Sequence, residues 1–474
     1  MIRRAIAATL TATALIAAPM AGASAQSYPA RPALGAPKPF AVPASETYRL
    51  PNGMQVTLIP YGQVPKAVVS LRIYAGGLDA GERTGLNSLT TNLLSEGAAG
   101  RTGAQIAEAA AAMGGNLGVS GDQHETSLSL GVLSEFADDA LRLIADVARR
   151  PDFPGTELER IRAGVLRNLA VARSQPGPAA EAALAAAYFG TTHPYGRLFP
   201  SEAQVKAYTI DDVRRFHADN FGARRARLYI AGQFDAAAVR AAIAEAYGDW
   251  QTGPERLSLP PNPQHGPRVI LVNRAGAPQS TLRVAFPAPV AGTAQDVPFR
   301  VTNALLGGSF TSRITKNIRE EKGYTYSPGS GVRFNPAQAL WAFNADVSTD
   351  VTGAALKEVI GEIRELQTTA QPNQEALGIR TWMAGTFVLQ NASPAGLIGS
   401  LANRDFHGLP ANWLESYVPT VLAVQPTEMQ RLAREQLPLD KMTLVVVGDL
   451  AKVTPQLKAL PELKNANFQT VQPF

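Results

Sequence analysis

Two windows of this chain, 216 positions apart, carry the same order of charged, apolar and glycine residues without a gap, and any fold must accommodate both. Asp212 aligns with Glu428, Val213 with Met429, Phe216 with Leu432, Phe221 with Leu437, Leu228 with Leu444 and Gly232 with Gly448. Each window reads as an amphipathic helix, a turn and a buried strand ending in glycine: Leu228-Tyr229-Ile230-Ala231-Gly232 in one, Leu444-Val445-Val446-Val447-Gly448 in the other. Nearer the start of each half the spacing is 211. It pairs Leu71-Arg72 with Leu282-Arg283, Thr91-Asn92 with Thr302-Asn303 and Gly97 with Gly308, so one five-residue insertion separates the two offsets. Apolar strands alone match by chance; a helix, a turn and a glycine matched together favour duplication.

Within each half, strands come first, at Gln55 to Pro60 and Ala67 to Tyr74, then at Val269 to Val272 and Thr281 to Phe286. Helical spacing follows, in Phe136, Ala140, Leu143, Ile144 and Val147, and again in Leu356, Val359, Ile360, Ile363 and Leu366. This grouping predicts an α+β fold of two homologous units, each a mainly antiparallel sheet with helices packed on one face. A stretch over 251–268 holds Pro254, Pro260, Pro261, Pro263 and Pro267 and divides the chain almost in half, which makes it the linker. The expected domains are 26–250 and 269–474.

Residues 1–25 read as an export signal: Arg3-Arg4, an Ala/Leu/Ile run from Ala5 to Ala18, and Ala23-Ser24-Ala25 as small residues for cleavage before Gln26. The run is short for a bilayer, where about 20 apolar residues are needed, so a periplasmic or secreted protein without stable membrane insertion is expected. Residues 28–43 carry five prolines and read as an extended leader. Lys plus Arg against Asp plus Glu is 44 to 39. That excess is small and evenly spread, and it does not point to nucleic acid. The chain has no cysteine, which excludes disulfides, thiol catalysis, iron–sulfur ligation and cysteine zinc sites.

G-x-S-x-G, a P-loop, G-x-G-x-x-G and H-E-x-x-H are all missing. The five histidines, His124, His193, His217, His265 and His407, are each too far apart in sequence for two to share a helix turn. His193 sits in the turn His193-Pro194-Tyr195-Gly196-Arg197 and is expected to hydrogen-bond within that loop. His124-Glu125 reads as a strand pair facing opposite ways. The informative segment runs Leu305-Leu306-Gly307-Gly308-Ser309-Phe310-Thr311-Ser312-Arg313, then Ile318-Arg319-Glu320-Glu321-Lys322-Gly323-Tyr324-Thr325-Tyr326, then Gly329-Ser330-Gly331. A helix stopped at Gly307-Gly308 leaves amides open to an approaching chain. Arg319 and Tyr326 are both donors that can hold a carbonyl oxygen as it becomes an oxyanion. The same residues also suit a plainer role, Arg319 on a solvated helix face and Tyr326 in a core.

The run from Gly307 to Tyr326 resembles the second-domain signature of the insulinase/pitrilysin family of zinc peptidases, which includes the mitochondrial processing peptidase. The resemblance implies duplicated α+β domains closing half of a clam-like chamber, and an Arg and a Tyr seven positions apart that bind the substrate carbonyl, matched here by Arg319 and Tyr326. It also implies that active members carry H-x-x-E-H on a helix after a glycine, with a distant Glu completing the zinc site. Here Gly85 to Leu94 fits that helix, but Ser88, Thr91 and Asn92 stand at the His, Glu and His positions, and Asn168 stands at the distant one. Hydroxyls and amides are poor zinc donors, and no histidine precedes Gln123 to rescue the motif.

The resulting expectation is a non-catalytic subunit of a heterodimeric zinc metallopeptidase, inactive alone and without a cofactor of its own. Its partner is a homologous zinc-bearing subunit, and the substrates are unfolded peptides. Arg319 and Tyr326 act in trans, and Gly307, Gly308, Ser309 and Gly329 line the substrate path. A structural subunit, a peptide-binding clam without a catalytic partner, and a self-sufficient hydrolase are the alternatives.

Overall fold

The computed structural model describes residues 40–261 and 268–474; the signal segment, His265 and part of the proline-rich stretch lie outside the described residues. Strands form where β-branched and other apolar residues run between turn formers. In the first half these are β1 (Glu46–Arg49), β2 (Gln55–Pro60), β3 (Lys66–Ile73), β4 (Gly118–Gly121), β5 (Thr126–Leu133) and β6 (Ala226–Gly232). In the second they are β7 (Arg268–Asn273), β8 (Gln279–Ala288), β9 (Gly329–Asn335), β10 (Gln338–Ser348), β11 (Thr443–Gly448) and β12 (Asn467–Val471).

The first sheet has the order β1-β2-β6-β3-β5-β4 and the second the order β12-β7-β11-β8-β10-β9. Five of the six strands correspond in place and direction: β2 is parallel to β6 as β7 is to β11, and the remaining pairs out to β4 and β9 are antiparallel. Only the far edges differ, since β1 is antiparallel to β2 while β12 is parallel to β7. The strand-ending glycines are required by their neighbours. A Cβ on Gly232, at φ +127°, would lie 2.2 Å from the Lys66 carbonyl oxygen, and one on Gly448 would lie 2.7 Å from Ser280 Oγ.

Seven helices matter most here: α1 (Leu86–Leu94), α2 (Ala137–Arg149), α3 (Gly155–Ser174), α4 (Pro176–Phe189), α5 (Asp296–Asn303), α6 (Thr352–Thr368) and α7 (Pro394–His407). The expected stripes face inward, with Ala140, Leu143, Ile144 and Val147 of α2 and Leu356, Val359, Ile360 and Ile363 of α6 all buried. Each half therefore lays its own helices on one face of its sheet, as the patterning implies.

The opposite face is closed by one helix from the other half. Leu444 and Val446 of β11 join the second half's own core, whereas Val445 and Val447, pointing the other way, pack with Ala180, Leu184 and Tyr188 of α4. Reciprocally, Leu228 and Ile230 of β6 face the first half's helices, while Tyr229 and Ala231 share a core with Leu397, Ile398 and Leu401 of α7. A strand buried on both faces has little room for polar residues, which is why the ends of these two strands, from Leu228 and from Leu444 to their glycines, read as near-continuous apolar runs. The Tyr229 hydroxyl donates to Asp405 Oδ2 (2.8 Å) and Gln55 Nε2 to the same oxygen (3.1 Å), tying the end of α7 to the first sheet.

Candidate functional site

In the first half, α1 starts after Gly85, whose φ of +87° and missing side chain admit Pro200; a Cβ there would sit 2.8 Å from the proline Cγ. Ser88 and Asn92 lie on the exposed face of α1, and Asn92 Nδ2 donates to the Ser88 carbonyl at 2.8 Å. Thr91 is buried, and its hydroxyl donates to Asn87 Oδ1 at 3.5 Å. It faces β4, where a Cβ on Gly121 would come 2.6 Å from Thr91 Oγ1. Asn168 is exposed on α3, which packs beside α1.

These four positions offer neutral hydroxyl and carboxamide groups, two of them already engaged with their own helix. That donor set does not fit zinc, which takes imidazole, thiolate or carboxylate. Among the described residues no group of three His, Cys, Asp or Glu side chains could hold a metal ion.

In the second half, α5 runs on into a π-helical turn, Ala304–Gly308, and a second π-helical turn spans Thr315–Glu321. Such widened turns recur at functional sites because they re-aim side chains. The helical turn ends at Gly308, so the stop falls at the glycine pair as expected; a C-terminal end leaves carbonyls rather than N–H groups without intrahelical partners, which corrects the expectation of open amides there. Both glycines are closely packed: a Cβ would come 2.5 Å from Ser330 Oγ at Gly307 and 2.4 Å from Asn303 Nδ2 at Gly308.

Asn303, which motif reasoning passed over, is the hub of this packing. Its Oδ1 accepts from Ser330 Oγ (2.7 Å) and from Trp341 Nε1 (2.6 Å), joining helix, β9 and β10. Ser309 is buried and its carbonyl accepts from the Ser312 amide (3.1 Å); Gly329 opens β9 opposite Asn344, near the Gly307 carbonyl.

The turn bearing Arg319 is held from behind. Asn317 Nδ2 donates to Glu358 (3.1 Å) and Glu362 (2.8 Å) of α6, and the Tyr324 amide donates to the Ile318 carbonyl (2.8 Å). Gly323, at φ +64°, lets the chain fold back, and Thr325 Oγ1 donates to the Asp346 carbonyl at 2.7 Å. Tyr326 is thereby brought to Arg319, whose guanidinium carbon lies 5.0 Å from the Tyr326 ring centre and 4.5 Å from that of Phe310. Tyr326 is 80% exposed and Phe310 66% exposed.

No acid pairs with Arg319 among the described residues, and its guanidinium rests against the two rings. The other arginines considered differ in this respect. Arg313 is tied to Glu362 (2.9 Å), and Arg283 is largely buried, which lowers its pKa, and donates to the Leu282 carbonyl (2.9 Å). A guanidinium resting on aromatic rings keeps its face-on attraction to them and its edge donors for a ligand oxygen. Phe310 went unassigned in the sequence; its signal is an aromatic residue set among Gly, Ser and Thr.

Two histidines depart from or add to the sequence reading. His193 accepts from the Tyr195 amide within its loop (Nδ1, 3.2 Å), as anticipated. His124 is in the turn between β4 and β5, not in a strand, because Asp122 Oδ1 caps the His124 and Glu125 amides (2.6 and 2.9 Å). It reaches the second half through Asn335 (3.3 Å) and sits against Tyr195 and Phe406. His407, at the end of α7, packs against Phe406; burial first, then Arg300 and Arg256, push its pKa down to about 4.

Two family models match the chain, one described as insulinase (peptidase family M16) over residues 56–199 and one as peptidase M16 inactive domain over 207–378. An uncharacterized zinc protease of Mycobacterium tuberculosis is 28% identical over 298 residues, 61% of this chain and 67% of that protein. A Helicobacter pylori protein named non-peptidase homolog YmxG is 21% identical over 399 residues, 82% of this chain and 90% of its own. A peptidase M16 inactive domain from Pseudomonas fluorescens superposes with a TM-score of 0.79 at 24% identity, covering 85% of this chain and 98% of that structure. A protease from Helicobacter pylori gives 0.79 at 17% identity, covering 86% and 100%. At these identities the structural likeness is one of fold.

Proposed function

We propose, from the premise that the chain belongs to the insulinase (M16) peptidase family, that it is the non-catalytic subunit of a heterodimeric zinc metallopeptidase of the periplasm. The observation that carries this reading is the pairing of a zinc position filled by Ser88, Thr91, Asn92 and Asn168 with an Arg319 that no acid neutralises and that lies beside Tyr326. The metal chemistry belongs to the homologous partner. This chain's share is to donate hydrogen bonds from Arg319 and Tyr326 to a substrate carbonyl oxygen, strengthening as negative charge develops there. An unfolded peptide fits the arrangement as a strand added to an exposed sheet edge, and β9, starting at Gly329 beside the π-helical turn, is such an edge. Relatives named both zinc protease and non-peptidase homolog agree with a family in which the scaffold outlives the metal site.

The test is purification of the full chain alone and together with an exported homologue bearing H-x-x-E-H. The expected result is a stable complex in which zinc and peptide cleavage appear only when the partner is present. Stoichiometric zinc and chelator-sensitive turnover by the pure chain would overturn the proposal. A structural or peptide-binding subunit without a catalytic share is the second reading, favoured by the name of the Helicobacter relative; it predicts that Arg319→Ala leaves the complex's turnover unchanged.

A further inference from the structure

Phe310 serves no core. Its ring is 66% exposed, and its only ring partner among the described residues is the Arg319 guanidinium at 4.5 Å. The backbone beneath it is fixed: the Ser309 carbonyl accepts from the Ser312 amide (3.1 Å) and Thr315 Oγ1 (3.5 Å), and Ser312 Oγ and Thr315 Oγ1 are 2.9 Å apart in the buried layer below. The loop therefore holds an apolar ring out in solvent directly against the Arg319 guanidinium. Tyr326, 80% exposed, borders the same guanidinium at 5.0 Å. Together the two rings make an apolar surface around a set of N–H donors. Such a surface matches a chain segment in which a carbonyl oxygen and a large apolar side chain stand side by side.

We infer that Phe310 is a specificity-determining residue: it receives an aromatic or large aliphatic side chain of the peptide next to the carbonyl held by Arg319. This rests on the peptide-binding reading above and adds to it a preference by sequence. It also separates two contributions at one site. Arg319 recognises the peptide backbone, common to all substrates, and Phe310 recognises one side chain.

The experiment uses the full chain and two fluorescently labelled unfolded peptides identical except for a central Phe or Ser, with binding followed by anisotropy. Wild type is expected to prefer the Phe peptide by about tenfold, the size of one aromatic contact. Phe310→Ala should bring that ratio close to one while leaving the Ser peptide's affinity within about twofold, and Phe310→Leu should restore most of the preference. Because the ring is exposed, Phe310→Ala should keep its circular dichroism and thermal midpoint. A ratio unchanged in Phe310→Ala, equal binding of both peptides by wild type, or an equal loss for both peptides in the variant overturns this inference and leaves the peptide reading standing. Failure of wild type to bind either peptide, both alone and with the zinc-bearing homologue present, overturns both.

Discussion

The dipeptide Thr-Asn occurs at matching places in the two halves, Thr91-Asn92 and Thr302-Asn303, and its two uses show how differently the sites are built. Both threonines are buried and bond within their helix: Thr91 Oγ1 to Asn87 (3.5 Å) and Thr302 Oγ1 to the Pro298 carbonyl (2.9 Å). The asparagines diverge. Asn92 is exposed and bonds only to its own helix, whereas Asn303 joins its helix to β9 and β10 through Ser330 and Trp341. The first half keeps the scaffold of a site with its polar groups turned on one another. The second spends its polar groups on bracing a turn that carries Arg319 beside the rings of Phe310 and Tyr326.

The comparison is sharpest at Arg319. In the proposed complex Arg319→Ala should lower turnover by about 100-fold or more, with smaller change in peptide affinity, as for loss of one oxyanion donor; steady-state kinetics read the split. Restoring zinc ligands piecemeal in the first half should fail at the buried position. Thr91→Glu places a carboxylate against Gly121 and should cost about 3 kcal/mol, whereas the exposed Ser88→His and Asn92→His should each stay within about 0.5 kcal/mol in urea unfolding. The paired asparagines give a third measurement. Asn303→Ala leaves the buried Trp341 N–H without its acceptor and should cost about 2 kcal/mol, while Asn92→Ala should be nearly neutral; equal effects would break the contrast.

The smallest effect concerns His407, at the contact of the two halves. Its pKa is lowered to about 4 from an ordinary 6.5, so the folded chain keeps it neutral where the unfolded chain protonates. The unfolded state thus binds more protons between those values. Stability is full above about pH 6.5 and falls as pH drops toward 4, by about 1 kcal/mol once solvent screening of this partly exposed ring is allowed for. His407→Gln should flatten that part of a pH series of thermal midpoints. His124, also lowered by burial, contributes in the same direction and remains in the variant.

Much of the architecture was legible because it is periodic. β2 falls at the expected Gln55–Pro60, and α2 and α6 follow stripes at helical spacing. The donor types on α1 were legible too, since they are simply the identities of Ser88, Thr91 and Asn92. His124 was misread as a strand residue because the capping carboxylate of Asp122 competes locally with strand propensity. Phe310 and Asn303 carried no motif, and their roles lie in contacts with residues well removed in the chain.

Residue order was therefore enough to place most of the strands and helices this polypeptide forms, since periodicity is a local property. Three things came only with folding: the crossing of α4 and α7 onto each other's sheets, the meeting of His124 with Asn335, and the placing of Phe310 beside Arg319. Each depends on close packing between segments brought together by the whole core. Such packing is a property of shapes and volumes summed over the molecule, and no short window of sequence contains it.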